Sequence, residues 1–529
     1  MTTRRDFLRA GLLVGGASLM PRWALANDGG FSGQRFPSPF LRPFAMALPI
    51  PPVVQPVPPF ATRRQVLPGT VFHEIRIRER QQQFHPDLPP TTVWGYEDVN
   101  QPQTRNSPGH TFVGRQGTPR MVRFHNELPA DHRGFGVPNM VVHRHGGNQE
   151  SQDDGFPLDI FHPGESRDFS WTDHREDERD ITQGTLWYHD HLVDFTAQNV
   201  YHGLAGFYIR YNDVDTGNEN QPGTTGLRLP SPPFDVAIVL QDRVFNADGS
   251  LFYDLNQHDG MLGDTFTVNG AAQPFFRVQR RKYRFRVLNG SNARIYSLAL
   301  SHGMPTVQIG TEGGFLEFPL PRQDILIGVA ERVEFILDFT NVPTGTQIVL
   351  ENRLRQDDGR GPSGDFANPD LGVRIPLVRF DVGGPAPDNS VIPTRLRDPF
   401  PPDPFPPVNR RRFEFVRSNG AWQINDKFFN ADRIDANPRV DDIELWTFKN
   451  GGGGWWHPIH VHLSSFEILR RNGAPPPPWE RAMKETVVLG PGDEVDMRMK
   501  FQNFRGRYVF HCHNVEHEDL AMMGRFDTI

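Results

Sequence analysis

The chain has 529 residues, which at roughly 150 residues per domain points to about three domains, each long enough for its own core. Its 50 Gly and 49 Pro favour many short strands joined by turns over a helical bundle, and a net charge of -7 offers no basic excess for a nucleic-acid backbone, so no nucleic-acid partner is expected. Against 20 His stands a single Cys, Cys512, which cannot form an intrachain disulfide and so calls for a chemical explanation.

In chain order, residues 1–26 read as a leader. Thr3-Arg4-Arg5-Asp6-Phe7-Leu8-Arg9 precedes an apolar run over 10–20 and then Ala24-Leu25-Ala26, a small-residue cleavage pattern. That order resembles a twin-arginine export signal and implies a periplasmic or secreted protein. The run is too short and Gly-rich to span a bilayer, and no later stretch approaches about 20 apolar residues, so no membrane span is expected in the mature chain. Residues 27–60 are Pro-rich and are expected to lie as an extended arm over a neighbouring domain.

An internal repeat sets the domain count. Arg123-Phe124-His125-Asn126, Arg286-Val287-Leu288-Asn289 and Thr447-Phe448-Lys449-Asn450 each end a strand-like run, with the Asn positions 163 and 161 residues apart. Pro163-Gly164-Glu165-Ser166, Val329-Ala330-Glu331-Arg332 and Pro491-Gly492-Asp493-Glu494 follow them, each a turn opening an alternating strand. Over 332–339 the apolar residues fall mostly at every second position, as a half-buried antiparallel strand requires. The expected fold is all-β, three tandem β-sandwich domains over 61–211, 233–382 and 409–529. The Asn-, Gly- and Pro-rich stretch 212–232 and the Pro-rich stretch 383–408 read as linkers.

Half of the histidines lie in four segments: His143-Arg144-His145, His189-Asp190-His191, His457-Pro458-Ile459-His460-Val461-His462, and His511-Cys512-His513-Asn514-Val515-Glu516-His517. One such pair is commonly a satisfied core or surface pair; four, with the cysteine inside one, exceed chance. On a strand both rings of His-x-His share a face, a chelating geometry, and Cys512 points to the face opposite His511 and His513. One strand thereby serves two sites. A thiolate, two imidazoles (His457 and His517) and an axial thioether from Met522 make the His2Cys set of a blue copper site. Zinc, the rival for such ligands, needs neither the Met nor eight further histidines. Met523 is adjacent, but spacing and alternation favour Met522 and leave Met523 to the core.

These four segments, in this order, resemble the ligand motifs of the multicopper oxidase family over nearly the whole mature chain. Trp455, two residues before His457, and Ala47-Leu48-Pro49-Ile50-Pro51 are similar to bilirubin oxidases and bacterial laccases. The resemblance implies cupredoxin-like Greek-key sandwiches and four copper ions: one type 1 held by Cys512, His457, His517 and Met522, and one type 2 held by His143 and His460. It implies two type 3 coppers, one on His145, His189 and His513 and the other on His191, His462 and His511. The trinuclear ligands come only from the first and last repeats, with the middle repeat as spacer. Arg144 departs from the family, which usually has an apolar or aromatic residue there.

The implied reaction couples one-electron oxidation of a small-molecule donor, such as a phenol, aromatic amine or tetrapyrrole, to four-electron reduction of dioxygen to water by a monomeric enzyme. Asp154 and Glu518 match proton-relay positions, although Asp154 also reads as a turn residue and Glu518 as an acid behind the ligands. Trp455, Trp456 and residues 475–479 read either as donor surface or as packing. Alternatives are a metal-ion oxidase of Mn(II) or Cu(I), disfavoured by the lack of a Met-rich insertion, and a non-catalytic cupredoxin-fold envelope protein.

Overall fold

The computed structural model describes residues 37–102, 107–173, 184–221 and 226–529; the export signal read at 1–26 lies outside the described residues. Among the described residues, short alternating runs separated by Gly, Pro and Asn turns form six sheets, paired into three sandwiches. Two four-stranded sheets lie within 71–211, a seven- and a five-stranded sheet within 235–385, and a six- and a four-stranded sheet within 409–528. Each pair encloses its own core, with Trp94, Phe124 and Tyr188 in the first, Phe285, Phe335 and Phe380 in the second, and Phe448, Trp446 and Phe510 in the third. Among the described residues no helix is long and apolar enough to cross a membrane.

The repeat motifs have one structural meaning in all three sandwiches. The opening strands Val71–Gln82, Asp235–Arg243 and Asn409–Ser418 pair in parallel with Arg120–Asn126, Lys282–Asn289 and Ile443–Asn450. The latter three pair antiparallel with Ser166–Trp171, Arg332–Asp338 and Glu494–Lys500. The repeated Asn closes the turn where these strands end. Asn126, Asn289 and Asn450 are fully buried; their amides donate to carbonyls of Pro138, Arg294 and Trp455, and their side-chain oxygens accept from the backbone two residues on. The same Asn backbones bond directly to the second motif, at Gly164, Ala330 and Asp493.

One expectation fails. Strand Arg332–Asp338 is buried on both faces over most of its length. Val333, Phe335 and Leu337 enter the middle core, while Arg332 and Glu334 are covered by the first sandwich, where both bond to Thr185. Half-burial implies water on the polar face; here that face is a domain interface instead. Residues of the arm also bridge sandwiches: Leu48 bonds to Phe275 and enters the middle core, and Val54 bonds to Thr111 and enters the first.

Asn289→Ala strands buried carbonyls in the middle sandwich and should cost about 2 kcal/mol. A denaturation midpoint equal to that of the unaltered chain would show the repeated Asn to be dispensable.

Candidate metal centre

Two antiparallel ladders carry the histidines to one interface. In the first sandwich Val142–His145 pairs with Gly184–Asp190, setting His143 opposite His189; in the third, His457–Val461 pairs with Gly506–Cys512, setting His460 opposite His511. The two ladders face each other. Within the triads His145/His189/His513, His191/His462/His511 and His143/His145/His460, all ligating atoms lie within 4.8 Å of one another, and every ring is buried.

The rings are held from behind. His143, His189, His460 and His511 donate from Nδ1 to backbone carbonyls of Asp154, Asp190, Glu485 and Cys512, and His462 donates from Nδ1 to Asp154 Oδ2 at 2.6 Å. Their Nε2 atoms are therefore lone pairs aimed inward. His143, His189 and His460 have no partner at Nε2. In the second triad the three Nε2 atoms stand 3.2, 3.2 and 3.3 Å apart. A point equidistant from three such corners lies about 1.9 Å from each, close to the roughly 2.0 Å of an imidazole-metal bond. Burial pushes His513 down to about 3 and His191 to about 4, and holds His143, His189, His460 and His462 well below their usual value. Neutral, buried, convergent lone pairs fit a cation and little else.

The opposite face of the same strand builds the second site. Cys512 Sγ lies 3.4 Å from His457 Nδ1 and 3.6 Å from His517 Nδ1. Helix Val515–Asp519 turns the chain back so that the Met522 backbone bonds to Cys512 and His517. Met522 shares the apolar cluster of Cys512, whereas Met523 packs with Phe156 and Val509 in another. Burial pushes the Cys512 thiol well up and His457 down to about 3, so a thiolate here needs a bound cation. The two sites correspond to a type 1 plus trinuclear copper architecture.

Sequence profiles described as multicopper oxidase match residues 90–213 and 401–529. The bilirubin oxidase of Albifimbria verrucaria is 34% identical, over 97% of this chain and 86% of its own length; the laccase of Bacillus subtilis is 32% identical, over 92% and 98%. Among solved structures, a laccase from Pediococcus acidilactici matches with a TM-score of 0.75 at 26% identity, covering 94% of this chain and 96% of that one. The chain belongs to the multicopper oxidase family. It is an enzyme, and its fold and convergent ligand groups are those of a multicopper oxidase.

In this multicopper oxidase both candidate carboxylates adjoin the histidines. Glu518 Oε2 lies 3.1 Å from His511 Nδ1 and Oε1 lies 3.6 Å from His191 Nδ1, without well-aligned hydrogen bonds. Burial works to raise Glu518, but His511 and His191 outweigh it and hold the carboxyl below its usual range. Asp154 contacts both His143 and His462; burial pushes it well up, against a hydrogen bond from Gln149.

Several residues around the sites carry no signal in the spacing of motifs. Trp422 stacks on His517 at 3.7 Å, Asp259 accepts from His517 Nε2 through its carbonyl, and Arg417 lies over both Trp422 and Trp455. Trp455 thus reaches the type 1 region through Trp422, whereas Trp456 packs with Ile295 and Leu354 of the middle sandwich. Gly452, Gly453 and Gly454 all take positive φ, which lets the preceding loop turn into Trp455. Trp479 packs under Arg322, and its loop lines a cavity of about 490 Å³ with Phe318 and Phe400.

Arg144 is fully buried away from the histidines. It bonds to Gln149 and Thr172, pairs with Asp173 at 3.3 Å and lies over Tyr208. Arg144→Leu should cost about 3 kcal/mol by leaving Asp173 short of a partner. A melting temperature matching that of the unaltered chain would show that Arg120, 3.2 Å from Asp173, and the Tyr208 hydroxyl, 2.7 Å from it, suffice as its partners.

Proposed function

We propose that this chain is a laccase-like oxidase that takes single electrons from phenols, aromatic amines or tetrapyrroles such as bilirubin and passes them to dioxygen. The observation that carries this reading is the junction at Cys512. Its thiol meets His457 and His517, while its peptide neighbours His511 and His513 belong to the two interface triads. The donor class is supported by the laccase and bilirubin oxidase among its relatives.

In this reading Cys512, His457, His517 and Met522 hold a type 1 copper, and His143 and His460 a type 2 copper. His145, His189 and His513 hold one type 3 copper and His191, His462 and His511 the other, four ions in all. Copper held there would supply one-electron redox chemistry, by which four single electrons from the donor, with four protons, would convert dioxygen to two waters. The chain's own part is connection and proton handling. The peptide links on either side of Cys512 join the two sites by the shortest covalent route the backbone offers. Glu518 and Asp154, each against two rings, are placed to deliver protons. A cavity of about 30 Å³ beside Glu518, also lined by Asp194 and Asp519, has room for one water. The domain limits 61–211, 233–382 and 409–529 and an exported, periplasmic or secreted location belong to the same reading.

Cys512→Ser is expected to abolish the blue absorption and donor oxidation together. Glu518→Gln should keep the blue colour and slow dioxygen uptake by about 100-fold or more; uptake at the normal rate refutes the relay role. An oxygen-electrode panel of a phenol, bilirubin, Mn(II) and Cu(I) tests the donor. Faster turnover of either metal ion than of the organic donors would replace this reading by a metal-ion oxidase, and a copper-free, inert protein would leave only a cupredoxin scaffold.

A further inference from the structure

Glu485 touches two histidines of opposite sandwiches at once. Its backbone carbonyl accepts from His460 Nδ1 at 2.9 Å, and its carboxylate Oε1 lies 3.1 Å from His145 Nε2. A carboxylate accepts and cannot donate, and Thr486 Oγ1, 3.2 Å from the same nitrogen, gives its own proton to Glu485 Oε1, so His145 carries its proton on Nε2 and presents Nδ1 as the lone pair. That Nδ1 is buried without a partner. His143, His189, His460, His462 and His511 all donate from Nδ1 and have the opposite tautomer. Against these five rings, His145 is held the other way round.

The carboxylate is itself clamped. Arg332 of the middle sandwich sets Nη1 2.5 Å from the same Oε1, and is fixed by donating from Nε to Thr185 O and from Nη1 to Ala330 O, each at 2.6 Å. The neighbouring cation does not compete, because Lys484 is turned to Glu312 at 2.9 Å and Glu331 at 3.1 Å. The backbone makes room for the pair. At Gly146, which follows His145 with φ +85, a Cβ would stand 2.9 Å from Arg332 Nη2 and 3.1 Å from Glu485 Oε2.

We propose that Arg332 and Glu485 are positioning residues of the trinuclear centre: the guanidinium holds the Glu485 carboxylate where it selects the tautomer of His145 that ligates through Nδ1. This rests on the reading of His145 as a copper ligand. It gives the middle sandwich, which holds no proposed ligand, a direct part in the centre. Neither residue exchanges a proton in this role; the pair acts by geometry.

Glu485→Leu separates positioning from bulk packing. It removes the acceptor at His145 Nε2 while keeping most of the side chain's bulk, so nothing holds the ring proton on that nitrogen. The expected result is about 10- to 100-fold weaker retention of one type 3 copper. By copper analysis and electron paramagnetic resonance, the spin-coupled pair breaks while the type 1 blue band persists. Glu485→Gln, whose amide oxygen can take the place of Oε1 and accept from both Arg332 and His145, should keep the pair. Should Glu485→Leu fail to fold, Arg332→Met should weaken the same copper with the blue band intact. A full copper complement with a coupled pair in Glu485→Leu, loss of the pair in Glu485→Gln as complete as in Glu485→Leu, or equal loss of every copper in all variants overturns the proposal. An unaltered chain that shows no blue band refutes the copper oxidase reading instead.

Discussion

Everything else in this molecule serves one awkward arrangement: uncharged imidazoles buried with their lone pairs turned toward one another. Water cannot solvate them, and burial has removed the option of protonation at neutral pH. Each inward nitrogen left without a partner costs about 1–3 kcal/mol, so several together rival the whole stability of an ordinary domain. Two features make the arrangement tenable. A cation converts the lone pairs from a liability into ligands, which couples metal binding to the stability of the interface. Behind six of the eight interface rings, a carbonyl or carboxylate takes the remaining N–H and fixes which nitrogen faces in, so selection of tautomer there is settled by the placement of the acceptor more than by the histidines themselves.

The sandwich architecture explains how such placement is achieved twice. A cross-strand pair brings two rings together only when the ladder register is exact to one residue, since a slip of one turns every ring to the other face. Register in the first and third sandwiches is pinned next to the histidines, at His143 opposite His189 and His460 opposite His511. The same alternation puts Cys512, beside His511, into the apolar core of the third sandwich. The two sites are consequences of one strand having two faces.

What was legible in the sequence follows from this. Ligand spacing is local, so the His-x-His segments, the role of strand alternation at Cys512 and the three-fold repeat are legible directly, whereas the neighbouring carboxylate Glu518 is singled out only through the family resemblance. Residues that act across domains could not. Arg332 and Glu334 occupy alternate positions of a strand and look like a solvated face, yet both are buried against Thr185 of the first sandwich. Trp422 and Asp259 reach His517 from about 95 and 258 residues away along the chain, with no motif to connect them. Sequence alternation reports that one face differs from the other; it cannot say whether the polar face meets water or another domain.

The buried charges show why the middle sandwich cannot be replaced by a mere tether. Arg284, Arg286, Asp215, Asp235 and Glu334 form a network buried from solvent, in which Arg284 and Arg286 overcome the effect of burial and hold Glu334 below its usual range. Replacing such a network with apolar residues would cost little stability or even increase it, so stability is a poor reason for its presence. Its value is directional. Arg286, Glu334 and Arg332 all bond to Thr185, the second residue of the strand that ends in His189 and Asp190. Apolar surfaces slide over one another with small penalties, whereas forked guanidinium contacts tolerate little displacement. A ligand set shared between the first and third sandwiches needs its strands fixed to a few tenths of an ångström. The charge network supplies that constraint from the one sandwich that contributes no histidine to the interface.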